Sequence, residues 1–356
     1  MSADCLTPSL VRSTAPIRIC DNGGWTDTWF AGHGTVFNIA VNPGVEVQVT
    51  KLSTGRSGKI EVYAENYEDT FDVLAGHWEK HPLIEATIER MKVPHNLSLR
   101  IGIYSPIPGG ASTGTSSALT VALIAALNKI TGRGELSPYE IAREAHAVET
   151  EMLGRQCGIQ DQLAAAFGGI NFIEMRCYPQ AVVTPLEVPE SVLWELQERL
   201  ILIYLGKPHD SSEVHATVIK SLEESSAMNR KLEDLRIAAR LARDAVLSGD
   251  LIGLGVAMIK NTEAQGRLHH DLICRDARRI IDIARTYGAL GWKVNGAGGE
   301  GGSLTLLAPE DSAIKRKMIR SIESALPSAR AIPVSLNSHG VRAWTVEAPH
   351  ALDVAV

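Results

Sequence analysis

A chain of 356 residues with 45% apolar side chains exceeds the size at which one hydrophobic core stops growing, so two domains with a cleft between them are expected. Its net charge of −6 and pI near 6.0 exclude the extended basic surface that nucleic acid or an anionic membrane selects. Five cysteines without a C-x-x-C pair favour reduced thiols in the cytoplasm over a disulfide frame or a zinc site.

The opening MSADCLTPSLVRST lacks the charged start, apolar stretch and cleavage site of an export signal. The segment APIRICDNGGWTD over 15–27 sets Arg18 in an apolar strand, a cation seeking an anion, and Asp27 after a Gly-Gly turn, where its carboxylate can meet hydroxyls. Taken alone it reads better as an edge-strand arginine and a turn aspartate. Period-2 alternation with β-branched residues then predicts strands at 45–49, 60–63 and 97–103.

After Pro106 and Pro108 the texture changes. GGASTGTSSA feeds LTVALIAALNKI, apolar on nearly every side and long enough for a buried helix. Its longest nearly apolar run, Leu119–Leu127, is too short to span a bilayer. Small residues let backbone approach a ligand closely, and free N–H groups at the helix start favour negative charge. A phosphate cradle and an ordinary Ser/Gly cap fit this loop about equally. Hydroxyls of Thr115, Ser116 and Ser117 could ligate Mg²⁺. No G-x-x-x-x-G-K-[ST] is present, so the loop is not a P-loop of the lysine-bearing kind.

Ser137-Pro138-Tyr139-Glu140 reads as a capping box opening a helix to about Leu153. Ile141, Ala142, Ala145, Val148 and Met152 form its apolar stripe, and Glu149 lies on the stripe's edge, pointing inward or into a cleft. Asp161 precedes a short Ala-rich helix whose positive end would hold it ionised. There it could orient a hydroxyl and accept its proton, while Glu149 is a hard oxygen ligand suited to Mg²⁺. An N-cap aspartate and a solvated glutamate are the plainer readings of each.

A strand at 169–174, another at 199–206, and helices through 211–230 and 232–247 follow, with a loose domain boundary near 180. GAGGEG at 296–301 matches the dinucleotide fingerprint G-x-G-x-x-G, but SLTLL after it is a strand, where that fingerprint needs a helix. The tail VSLNSHGVRAWTVE reads as a closing hairpin around Asn337–Gly340.

In order and spacing, these segments resemble the galactokinase–homoserine kinase–mevalonate kinase–phosphomevalonate kinase (GHMP) family. Residues 15–27 are similar to its first motif, 106–118 to its Pro-x-x-x-Gly-Leu-Gly-Ser-Ser-Ala motif, and 293–302 to its C-terminal glycine motif. Glu149–Gln162 resembles the galactokinase pattern E-x-x-x-x-G-x-x-C-G-I-x-D-Q. The resemblance implies an α+β, two-domain fold, with a ribosomal S5-like domain over 1–180 and a ferredoxin-like domain over 181–356.

It implies a cytoplasmic sugar kinase acting with ATP and Mg²⁺ on a small-molecule sugar or sugar phosphate, with no nucleic acid or membrane partner and a homodimer left open. Asp161 and Arg18 would be catalytic. Pro108, Gly109, Gly110, Ala111, Ser112, Thr113, Gly114, Thr115, Ser116 and Ser117 would hold the nucleotide, and Ser116 with Glu149 the metal. Asp27, Gly24, Thr26, Gly298 and Gly299 would face the acceptor.

Gly23-Gly24-Trp25-Thr26-Asp27 lacks the Glu and His of galactokinases and looks like L-fucokinase or heptose 7-phosphate kinases, whose branch is favoured. Other acceptors (galactose, arabinose, a uronate) and a non-catalytic sugar/ATP sensor of the same fold are the alternatives. Arg155, Lys207, His209 and Arg267 could meet an acceptor phosphate, but each reads more simply as a solvated surface side chain. Three departures stand out: Ser112 for a usual Gly, Thr113 for a usual Leu, and Glu300 within the last glycine run.

Overall fold

The computed structural model describes residues 10–52, 58–208, 218–220 and 228–346. Two strands organise the first sheet. β1 (Leu10–Asn22) and β2 (Gly34–Lys51) pair antiparallel along most of their length, and β2 is long enough to serve two neighbours. Its second half pairs β5 (Leu99–Tyr104), which continues to β3 (Ile60–Ala64) and β4 (Asp69–Asp72). Its first half pairs β6 (Ile170–Cys177), which pairs β7 (Gln180–Pro185). The alternation at 45–49 is therefore one end of a longer strand.

Against this sheet lies α2 (Thr115–Ile130), the helix that reads as apolar all round; Leu123, Ile124 and Leu127 are fully buried. It is sheathed by α1 (Pro82–Arg90), α3 (Pro138–Ala147) and α4 (Gln160–Phe167). The capping box is present: the Ser137 hydroxyl accepts from the Glu140 amide, and the Glu140 carboxylate accepts from the Ser137 amide. After Ala147 the helix widens into a π turn over Val148–Met152, so its last turn departs from the 3.6-residue period.

Past α5 (Glu190–Arg199) comes a second, wholly antiparallel sheet of β8 (Leu200–Tyr204), β9 (Gly291–Val294), β10 (Ser303–Leu307) and β11 (Arg330–Ile332). Its order is β11-β8-β10-β9. Counted within the sheet this is 4-1-3-2, the ferredoxin-like arrangement. Helices α6 (Met228–Ser248) and α7 (Leu251–Leu268) form an antiparallel pair, followed by α8 (Arg275–Thr286) and α9 (Ser312–Ala325). The Asp250 and Asp311 side chains cap α7 and α9. The expected helix at 232–247 lies inside α6, whereas most of that at 211–230 falls outside the described residues.

The tail is not a hairpin. β12 (Ser335–Leu336) pairs β2 and β13 (Arg342–Thr345) pairs β1, so neither pairs the other. The turn between them is fastened to the first sheet instead, by Gly169 N–H to Asn337 O at 2.6 Å and Asn337 N–H to Ala40 O at 3.0 Å. Residues 335–345 thus return to the first unit, and the β6–β7 hairpin straddles position 180. The four described cysteines are free thiols. Among the described residues no helix is long and apolar enough to cross a membrane.

Candidate active site

A cleft of about 500 Å³ is lined by Arg18, Asp21, Gly24, Asp27, residues 109–117, Glu149, residues 155–158 and 160–162, Gly296 and Ala297; Tyr67, Lys80 and His81 line it as well. The loop before α2 kinks repeatedly: Gly110 (φ 71°), Ser112 (φ 56°) and Gly114 (φ 72°) are all left-handed. Ser112 bears this where glycine would at no steric cost, a strain of about 1 kcal/mol. Thr113 replaces a leucine and is buried. No side chain caps α2, and the buried Ser112 hydroxyl has no hydrogen-bond partner among the described residues. Open helix-start amides and an orphan hydroxyl are a donor set for phosphate oxygens.

Arg18, 4% exposed on β1, joins this loop to the candidate base. Its Nε and Nη2 form a fork on Asp161, at 2.9 and 3.2 Å, and Nη1 donates to the Ser112 carbonyl. The backbone adds Arg18 N–H to Thr113 O at 3.0 Å. Gly114 packs on Asp161: a Cβ there would lie 3.3 Å from the carboxyl carbon. Neighbouring Asp161, Asp21 and Asp27 raise the Arg18 pKa despite its burial.

Glu149 sits in the π turn, 5% exposed. Its Oε1 accepts from Ser117 Oγ at 3.1 Å and Gln162 Nε2 at 2.9 Å. Burial raises its pKa. A buried carboxylate with only neutral donors is a site a divalent cation would neutralise. The expected partner Ser116 is exposed at the cleft, and the hydroxyl on Glu149 belongs to Ser117.

Asp27, 3% exposed, accepts the Gln160 N–H at 3.0 Å, and burial pushes its pKa up to about 6 from 3.8. Gly158 must be glycine, since a Cβ would fall 2.1 Å from Asp27 Oδ2. A carboxyl with a raised folded-state pKa costs stability as pH rises from about 4 through 6. Asp27→Asn should therefore gain on the parent by about 2 kcal/mol between pH 4 and 7.5. Denaturant midpoints across that range check this, and a flat difference would mean that Asp27 is ionised without penalty.

Thr26 does not face the cleft: its hydroxyl lies 2.7 Å from Gly23 O and accepts the Thr35 N–H at 3.0 Å, holding the turn. From the C-terminal glycine run, Gly296 and Ala297 line the cleft, while Gly298 and Gly299 pack on the 272–273 backbone. Pro108 lies behind the loop, its carbonyl accepting the Ala111 N–H. Glu300 is exposed and outside the cleft lining, so it brings no carboxylate towards phosphates. Of the four available cations, Arg155 lines the cleft; Lys207 is exposed away from it, Arg267 pairs with Asp234 at 2.9 Å, and His209 is outside the described residues. Sequence reasoning missed Gln162, Asp21 and Lys293; Gln162 stood within reach, one residue after Asp161.

The family model for the GHMP kinases N terminal domain matches residues 82–169. A D-glycero-alpha-D-manno-heptose 7-phosphate kinase of Campylobacter jejuni is 24% identical over 343 residues, covering 94% of this chain and 99% of the relative. A bifunctional fucokinase/GDP-fucose pyrophosphorylase of Arabidopsis thaliana is 26% identical over 333 residues, 86% of this chain but 30% of that longer protein. The solved structure of a D-glycero-D-manno-heptose 1-phosphate kinase from Bacteriodes thetaiotaomicron superposes with a TM-score of 0.73 at 24% identity, over 95% of this chain and 100% of the other. Four motifs in family order, a matched N-terminal domain and a fold shared over nearly the whole length place the chain in the GHMP kinases.

Proposed function

We propose that the protein moves the γ-phosphoryl group of MgATP onto a hydroxyl of a sugar or sugar phosphate, with a heptose-phosphate-like or fucose-like acceptor. The observation that carries this reading is the Arg18 fork, which holds Asp161 while the same guanidinium grips the Ser112 carbonyl of the phosphate loop. A candidate base and a candidate phosphate cradle are thereby fixed to one rigid strand. The heptose-phosphate and fucose names of the relatives support the acceptor class.

MgATP, when bound, supplies the transferable phosphoryl group and the cation that offsets its charge. Residues 110–117 would hold the phosphates by backbone amides and the Ser112 hydroxyl, with Glu149 and Ser117 as the metal-binding side chains. Asp27 would accept from acceptor hydroxyls, and Arg155 would meet an acceptor phosphate. The acceptor oxygen bonds to the γ-phosphorus as the bond to the β–γ bridging oxygen breaks, and ADP leaves with that electron pair. The hydroxyl proton passes to Asp161. Arg18 offsets charge on the transferring group, and positioning plus electrostatics suffices for such a transfer.

The test is ADP release from MgATP across fucose, galactose, arabinose, glucuronate, mannose and a heptose 7-phosphate. One strong acceptor among the heptose phosphate and fucose is expected. Silence across the panel, with ATP binding demonstrated, would move weight to the sensor reading or to an acceptor outside the sugars.

A further inference from the structure

Between the Arg18 strand and the glycine turn lies a buried ion pair that the transfer chemistry above does not use. Asp21 is 0% and Lys293 1% exposed, with Nζ 3.3 Å from Oδ1. Lys293 also donates to Gln265 Oε1 at 3.2 Å and to the Val294 carbonyl. Asp21 receives the Gly296 N–H, 3.2 Å from one oxygen and 3.0 Å from the other. Gln265 Nε2 lies 3.1 Å from Gly296 O and 3.0 Å from Ala297 O. The amide and carbonyl of Gly296, the first residue of the turn, therefore end on one cluster of three side chains.

Burying two charges is costly, and apolar replacements of similar volume often match or exceed such a pair in stability. Stability is then a poor reason for this pair, and its position offers a better one. The turn has left-handed φ at Gly296, Gly298, Gly299, Gly301 and Gly302 and few side chains of its own to hold it. A Cβ on Gly296 would lie 3.1 Å from Ser112 O and 3.3 Å from Arg18 Nη2. The turn thus lies against both the phosphate loop and the arginine.

We infer that Asp21 and Lys293 are positioning residues, which pin the 296–302 turn of the second unit against Arg18 and so set the geometry of the cleft across the two units. Asp21 borders the cleft but is fully buried, so it acts through the Gly296 amide and through its field on Arg18. The inference rests on the kinase reading for its rate consequence; the pinning itself does not.

The experiment compares the full-length parent with Asp21→Leu/Lys293→Met, assayed on the best acceptor of the panel. The thermal midpoint should stay within a few degrees. Turnover should fall about 10- to 100-fold with the KM for ATP nearly unchanged, as a misplaced site implies. Amide exchange of residues 296–302 in the ligand-free protein should quicken about tenfold or more. Lys293→Met alone, which leaves Asp21 without its partner, should unfold at a clearly lower temperature. Should the apolar pair not fold, Asp21→Asn/Lys293→Gln carries the same two readouts without charge. Parental turnover together with parental exchange would overturn the inference. A parent inactive on every acceptor counts against the kinase reading alone, and the exchange rates then decide the pinning.

Discussion

Asp161→Asn should lower single-turnover ADP formation by about 10²- to 10⁴-fold, the span usual for loss of a positioned acid–base group. The fold should tolerate the change. Asp161 sits in the first turn of α4 with its side chain 27% exposed, and Asn has the same shape. Arg18 keeps the Ser112 carbonyl and the attraction of Asp21 and Asp27, so the phosphate loop stays in place. Turnover should therefore drop while the KM for ATP and the melting temperature hold. A loose phosphoryl-transfer transition state needs little early proton removal, so the size of the drop separates the two roles of the carboxylate. A loss near the lower bound marks an orienting charge and one near the upper bound a true base; parental turnover in a folded variant would remove Asp161 from the chemistry.

Glu149→Gln is expected to raise the Mg²⁺ concentration for half-maximal velocity by at least about tenfold, since the one buried charge at that position is lost. Ser117→Ala should shift the same titration in the same direction, and Ser116→Ala should leave it near parental, because Ser117 is the hydroxyl 3.1 Å from the carboxylate. Without ligands, the Glu149→Gln variant should melt no lower than the parent at pH 7.5. Burial raises the Glu149 pKa, so the ionised form costs stability above the ordinary carboxylate range, and the neutral amide relieves that cost. An unchanged Mg²⁺ titration in Glu149→Gln would take the metal away from this residue.

What could be read in advance was what local chemistry writes. The Ser137–Glu140 box, the apolar helix after the glycine loop and the strand after GAGGEG depend on neighbours a few residues apart, and each stands as its spacing indicated. Glu149 was placed on the edge of a helical stripe, but the π turn that presents it to Ser117 breaks the period on which that argument ran. Ser116 and Ser117 are neighbours in the first turn of α2, and their spacing does not say which hydroxyl meets Glu149; the fold buries Ser117 against that carboxylate and leaves Ser116 exposed at the cleft. Asp21 and Lys293 lie in segments matched to family motifs, yet nothing in their spacing pairs them. Each is an ordinary charged residue until two distant strands are brought together, and a buried pair cannot be told from two solvated charges by sequence. The tail misled because Asn337–Gly340 is a genuine turn, yet hairpin and split pairing share the same turn chemistry; what decides is the presence of free edges on β1 and β2.

That split pairing has a consequence for synthesis on the ribosome. The first sheet contains strands from both extremes of the described chain, so its β1 edge stays bare while residues 52–330 are being made and covered only when β13 emerges. From the emergence of β7 until that of β13, a nearly complete sheet exposes an unpaired strand, the kind of surface that recruits a neighbouring nascent chain. Slowing elongation anywhere between the codons of β2 and β13 should thus lengthen the vulnerable interval, whereas slowing it upstream of β1 should not.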